Sequence, residues 1–110
     1  MGEAVAPSTS TVVYEDERYL SFPALARAGE RLLVIFRQAG GSPMDGDARI
    51  LICHSDDDGA SWSAPEVWVD EPDTDSRNCG GGPLPGGLAH FVYDMHHATA
   101  DWRRTFYRTS

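Results

Sequence analysis

Lysine is absent, and all nine basic side chains of the 110-residue sequence are arginine. A guanidinium offers a planar fork that suits carboxylates, although biased codon composition accounts for the same count without any function. Basic charge is also scarce. Seventeen Asp and Glu against nine Arg leave a formal net charge of -8, which excludes the basic surface that nucleic-acid phosphates require and disfavours an anionic membrane. No apolar run reaches the roughly 18 residues of a membrane-spanning helix. Residues 1–10 show neither the basic nor the apolar region of a secretory signal, and Ala6 breaks the myristoylation pattern that Gly2 would begin. Two cysteines, Cys53 and Cys79, are too few for a disulfide framework and read as reduced packing residues. None of these features sets a compartment.

Helical periodicity is missing too. A hydrophobic content of 41% with 24% charged residues is that of a folded chain, and the apolar residues come in short runs between Gly, Pro and Asp clusters, a strand-and-turn signature. Phe22 to Arg27 and Arg31 to Arg37 flank Ala28-Gly29-Glu30 and predict a hairpin. Arg49 to His54 predicts a third strand and Val67 to Asp70 a fourth. The pattern then restarts. Leu84-Pro85-Gly86-Gly87 matches Arg27-Ala28-Gly29-Glu30, Leu88 to Tyr93 matches Arg31 to Phe36, and Thr105 to Ser110 matches Ile50 to Ser55. A repeat at this spacing suits propeller blades with generous loops. The expectation is one and three-quarters four-stranded sheets: a segment 1–17, a first blade over 18–72 and an incomplete second over 73–110. Thr11-Val12-Val13-Tyr14 is strand-like and is expected to serve as the outer strand of a blade supplied by the far end of a ring or by another chain.

The most specific stretch is Ser55-Asp56-Asp57-Asp58-Gly59-Ala60-Ser61-Trp62, which fits S-x-D-x-G-x-[ST]-W. Asp57 can accept hydrogen bonds from nearby amides, Gly59 takes a backbone shape other residues resist, and Trp62 buries its ring. Ser55 and Ser61 can tie the two arms. A calcium loop is excluded, because aligning Gly59 with the glycine of an EF-hand puts His54 first and Pro65 at the bidentate Glu position.

This stretch resembles the Asp-box, or BNR repeat, of sialidases and related six-bladed propellers. Phe22-Pro23-Ala24-Leu25 with Arg31 to Arg37 resembles the first hairpin of such a blade, and Asp73-Thr74-Asp75-Ser76-Arg77-Asn78 resembles the linker into the next. The resemblance covers about residues 18 to 110. It implies an all-β fold, a partial, about two-blade fragment of a sialidase-like six-bladed β-propeller, in which the Asp-box residues Ser55, Asp57, Gly59, Ser61 and Trp62 are structural. It also implies, for the complete protein, an exo-glycosidase that hydrolyses a terminal acidic sugar such as sialic acid. That chemistry uses an Arg cluster for the sugar carboxylate, an acidic Asp, and a Tyr nucleophile assisted by Glu, outside the usual carboxylate pair. Where the family carries Arg-Ile-Pro this chain has Ser21-Phe22-Pro23, which favours the alternative of a non-catalytic propeller that binds sugar or protein. The chain alone is expected to be inactive.

Alternate connections of a meander fall on opposite faces of the ring. The loops 38–47, 71–78 and 95–102 share one face, and functional residues concentrate in such loops. There Asp47 and Asp45 occupy the place of the family's acid, with Asp47 preferred. Arg37 and Arg77 are candidate binders of a substrate carboxylate, set against the simpler reading of ion pairs with Asp75 or Asp94. Trp102 either stacks on a sugar ring or covers the blade. Tyr19 reads as a packing residue. His96-His97 lacks a third ligand at useful spacing, and Gly80-Gly81-Gly82 precedes Pro83 rather than a helix, so it is no nucleotide loop. No metal and no cofactor is expected. The expected partners are carbohydrate and either the remaining blades of the same protein or further copies of the chain in a six-blade trimer.

Overall fold

The structure, a computed structural model, describes residues 10–40 and 46–110. Among the described residues seven strands run in sequence order: β1 (Tyr19–Ala28), β2 (Arg31–Ala39), β3 (Arg49–Ser55), β4 (Glu66–Val69), β5 (Thr74–Leu84), β6 (Leu88–His97) and β7 (Arg103–Thr109). They form two antiparallel meanders, β1-β2-β3-β4 and β5-β6-β7, packed face to face.

Alternation along the strands explains the stacking. Residues two apart point to one face, so Leu33 and Ile35 of β2 and Ile50 of β3 turn to the seam. There they meet Ala89, Phe91, Tyr93 and Met95 of β6 in one buried cluster. Val34 and Phe36 of β2, with Leu51 and Cys53 of β3, turn the opposite way and form a second, smaller cluster. At their lower ends the two hairpins touch. Gly29 supplies a positive φ of 64° to the first turn, and a Cβ on it would stand 3.4 Å from the Gly87 Cα of the second. The positive φ calls for glycine there, while the approach to Gly87 is a close van der Waals contact.

Both sheets carry the same irregularity. In β1 the register slips by one residue between Ser21 and Ala24, and in β5 between Arg77 and Gly80. Each bulge has one residue in the left-handed region, Phe22 at φ 52° and Asn78 at φ 54°. Asparagine tolerates that conformation, whereas a bulky aromatic resists it. The inserted residue hid part of both strands. Asp73–Asn78 was expected as a linker, yet Thr74–Asn78 is the first half of β5, and β1 starts at Tyr19, three residues before the expected Phe22. Turn-type residues such as Asp, Ser and Asn serve here as strand and bulge. Likewise Gly80-Gly81-Gly82 runs as strand because Phe91 and His90 lie across it. A Cβ at Gly81 would come 2.4 Å from Phe91 Cδ1.

Thr11-Val12-Val13-Tyr14 belongs to neither sheet of this chain. Among the described residues it pairs with no strand, and the blade from elsewhere that it is expected to complete lies outside this chain. Instead Val13 and Tyr14 pack on the outward cluster of the first sheet, and Tyr14 stacks on Phe36 with ring centroids 5.9 Å apart. The Tyr14 hydroxyl donates to Asp16 at 2.7 Å, and Asp16 also accepts from Arg18 N and Gln38 Nε2. Desolvation pulls the Asp16 carboxyl up, but the bonds from Tyr14, Arg18 N and Gln38 together hold it below the ordinary value.

Candidate functional site

The segment 55–62 closes as a turn on its own side chains. Ser55 Oγ donates to Asp57 Oδ1 at 2.7 Å and accepts from Gly59 N at 2.8 Å. Ser61 N donates to Asp57 Oδ1 at 2.9 Å, and the Ser61 hydroxyl donates to Asp57 Oδ2. Asp58 and Gly59 both take positive φ, 56° and 90°. Beyond the turn, Trp62 packs on the cluster of Val34, Phe36, Leu51 and Cys53. Hydrogen bonds from the Ser61 side chain, the Ser61 backbone and the Ser55 side chain hold Asp57 down at about 2. A carboxylate gripped this way stays ionised, and its oxygens are occupied by the turn's own donors.

The opposite end of the strands holds the loops and three separate groupings. In the first, Asp75 of β5 is a carboxylate between two arginines. Arg37 Nη2 of β2 donates to Asp75 Oδ1 at 2.9 Å across the seam, and Arg77 Nε donates to Oδ2 at 2.6 Å. The side chains of Arg37 and Asp75 are 1% and 5% exposed, whereas Arg77 keeps 36% of its side chain in solvent. Asp75 and Arg77 lie two apart on one strand, so they share a face. The simpler sequence reading, an ion pair with Asp75, therefore holds for both arginines.

The second grouping contains Asp47. Asp47 is exposed and accepts from Gly40 N at 3.2 Å, in a polar hollow of about 410 Å³ that Arg18, Gln38, Arg49 and Asp70 also line. Arg49 Nε donates to Gln38 Oε1 at 2.8 Å. Because Gln38 and Arg49 form a cross-strand pair in step with Phe36 and Leu51, this hollow belongs to the outward side of the first sheet, away from the seam. Asp45 lies outside the described residues.

Trp102 forms part of a third grouping, a groove of about 540 Å³ between the outer strands β4 and β7. Arg104 lies over its ring at 4.3 Å, and Arg108 covers Trp68 on the other wall at 4.7 Å. His97 Nδ1 accepts from Thr99 N and Ala100 N, so its ring carries the proton on Nε2 and its centroid sits 5.3 Å from that of Trp102. The structure therefore brings Arg37 and Arg77 together through Asp75 and places Asp47 and Trp102 in separate surroundings. Among the described residues no three His, Cys, Asp or Glu side chains converge as metal ligands.

No protein-family model matches the chain, and no curated protein matches it. A solved structure does. The Hadza microbial sialidase Hz136 superposes with a TM-score of 0.66 at 17% identity, over 86% of this chain and 22% of that one. The fold is sialidase-like. The two meanders correspond to a part of a sialidase propeller, and the chain spans about one fifth of the length of that solved enzyme. At this identity the likeness establishes architecture. In a sialidase-like arrangement β1 and β5 are the first strands of successive sheets, and their bulges bring Ser21 and Arg77 to equivalent places, since Ser21 pairs with Arg37 and Arg77 with Asp94.

Proposed function

We propose that the chain is part of a sialidase-like exo-glycosidase propeller whose loop face binds the carboxylate of a terminal acidic sugar, with Arg77 as the principal contact. One observation carries this reading: two arginines from successive sheets converge on Asp75 at the loop end, and one of them, Arg77, keeps part of its side chain in solvent. A guanidinium has five N–H donors. Asp75 engages Nε and Nη2 of Arg77, which orients the plane and leaves the Nη1 edge for a ligand. Planar forks bind carboxylates through parallel bonds. Arg37 acts behind it as a positioning residue, because burial keeps it from meeting solvent. In the complete protein Asp47 is the candidate general acid, and hydrolysis of the glycosidic bond is the reaction.

A second reading is a non-catalytic propeller that binds sugar or protein. Ser21 favours it. It stands in the first sheet where Arg77 stands in the second, and it supplies a hydroxyl where the enzyme family uses a guanidinium.

Titrating the isotope-labelled chain with N-acetylneuraminate, and with neutral N-acetylglucosamine as control, separates a carboxylate site from none. Resonances of Arg77 and Asp75 should move with the acidic sugar alone, and Arg77→Met should abolish the effect. Equal responses to both sugars, or an unchanged response in Arg77→Met, would remove Arg77 as the contact.

A further inference from the structure

The turn at 55–62 has a reactive bond at its tip. Asp58 is followed by Gly59, whose backbone nitrogen has no side chain beside it to hinder attack on the preceding carboxyl. In that reaction the Gly59 nitrogen bonds to Asp58 Cγ, and the carboxyl hydroxyl leaves as water with the proton of the nitrogen. A succinimide ring closes. Water then opens the ring at one of its two carbonyls. One opening restores the original chain, and the other routes the main chain through Asp58 Cβ and Cγ as isoaspartate.

The structure singles out this bond among the described residues. Asp58, Asp73, Asn78 and Asp101 all take a positive φ, and the residues after them are Gly59, Thr74, Cys79 and Trp102. The last three shield their nitrogens with side chains, and Gly59 does not. Asp58 also meets water freely, with 80% of its side chain exposed. The glycine cannot be exchanged to block the reaction. A Cβ on it would meet Leu32 and Trp62 only at 3.8 Å, but its φ of 90° excludes other residues. The shape of the turn and the reactivity of its tip come from the same residue.

Two contacts oppose the attack. Gly59 N donates to Ser55 Oγ at 2.8 Å. Ser55 is 1% exposed and gives its own proton to Asp57 Oδ1, so its oxygen is fixed as the acceptor. The nitrogen must leave this bond before it can turn towards Asp58 Cγ. On the other side Arg27 Nη2 holds Asp58 Oδ1 at 3.0 Å. We propose that Asp58-Gly59 is a site of succinimide-mediated isomerisation, and that the Ser55 hydroxyl guards it by holding the Gly59 nitrogen. The modification is one-way for the fold. Isoaspartate lengthens the main chain by a methylene between the two anchors of the turn, so Gly59 N and Ser61 N can no longer reach Ser55 and Asp57 together. This site is independent of what the loop face binds.

Asp58→Asn turns the reaction into a deamidation through the same ring, with ammonia leaving in place of water and a gain in mass when the ring opens. Asparagine tolerates the left-handed region, and only an exposed ion pair is lost. Peptide mapping by mass spectrometry follows position 58 at neutral pH, in the folded chain and in denaturant. Deamidation should be several-fold slower in the folded chain. Adding Ser55→Ala should speed the folded chain about two- to tenfold, the factor that one hydrogen bond represents, and leave the denatured rate unchanged. Ser61→Ala loosens the same turn but keeps the Gly59 contact, so it should speed the reaction less. Hydrogen exchange of the seam amides verifies that each variant is folded; if Ser55→Ala is not, Ser55→Cys, a weaker acceptor of similar size, reads the same contact. Equal rates in the folded and denatured chain would overturn the inference. Removal of the Ser55 hydroxyl with no more effect than Ser61→Ala would also overturn it.

Discussion

At the bulge the first sheet presents Ser21, Phe22 and Pro23, and the second presents Arg77, Asn78 and Cys79. Opposite them stand Arg37 in one sheet and Asp94 in the other. Backbone path, strand order and even the left-handed residue recur, while charge and volume are redistributed. The same trade appears one turn of register further down. Leu25 faces Val34 in the first sheet, and Gly81 faces Phe91 in the second. A large residue and a small one have changed sides, so that Phe91 can fill the seam from β6. The comparison teaches that the repeat is a backbone rule. Chemistry is assigned sheet by sheet, and the seam between the sheets is where the assignments must agree.

The harshest way to break that agreement is Asp75→Ala. It withdraws the carboxylate that joins Arg37 of the first sheet to Arg77 of the second. Removing one partner of a buried pair costs about 3–5 kcal/mol, a large share of the roughly 5–15 kcal/mol that holds a domain together. The denaturant midpoint should fall accordingly; a shift no larger than that of an exposed-site control would show that the seam does not depend on this carboxylate. Asp75→Asn, which keeps the shape, separates charge from packing.

A smaller effect tests the volume exchange. Gly81→Ala places a methyl group where Phe91 already sits, and overpacking of this kind costs about 1–3 kcal/mol. Leu25 is 57% exposed, so Leu25→Ala in the equivalent place of the first sheet should change the melting temperature far less. Comparable losses in the two variants would contradict the assignment of the seam to Phe91.

The smallest effect concerns the turn at 55–62, which follows the third strand of the first sheet. Asp57 is held at about 2, below the ordinary 3.8. A depressed carboxyl stabilises the fold above its unfolded value and loses that contribution as pH falls through its folded value. Asp57→Asn should therefore melt below the parent between about pH 5 and 7, with the gap closing towards about pH 2. A gap independent of pH would mean that Asp57 acts through shape rather than charge.

Much of this architecture was legible beforehand, for local reasons. The hairpin at Gly29, the alternation of β2, the turn of Ser55, Asp57, Gly59 and Trp62, and the restart of the pattern near Leu84 all depend on residues close in the chain. Period-two burial and turn chemistry operate at that range. The sequence alone therefore determined that the chain is all-β, repeated, and sialidase-like in outline.

Tertiary structure decided the rest. The bulges at Phe22 and Asn78 exist because strands of unequal length must stay in register with their partners, which no local window displays. Asp75 became the centre of the arginine cluster only when β2 and β5 were stacked, since Arg37 and Asp75 are 38 residues apart in sequence. Packing also set Asp47 and Trp102 in surroundings of their own, apart from that cluster, at the same loop end of the strands. A turn can be read from its own residues, whereas a site is made by side chains that meet only after the sheets have closed on each other.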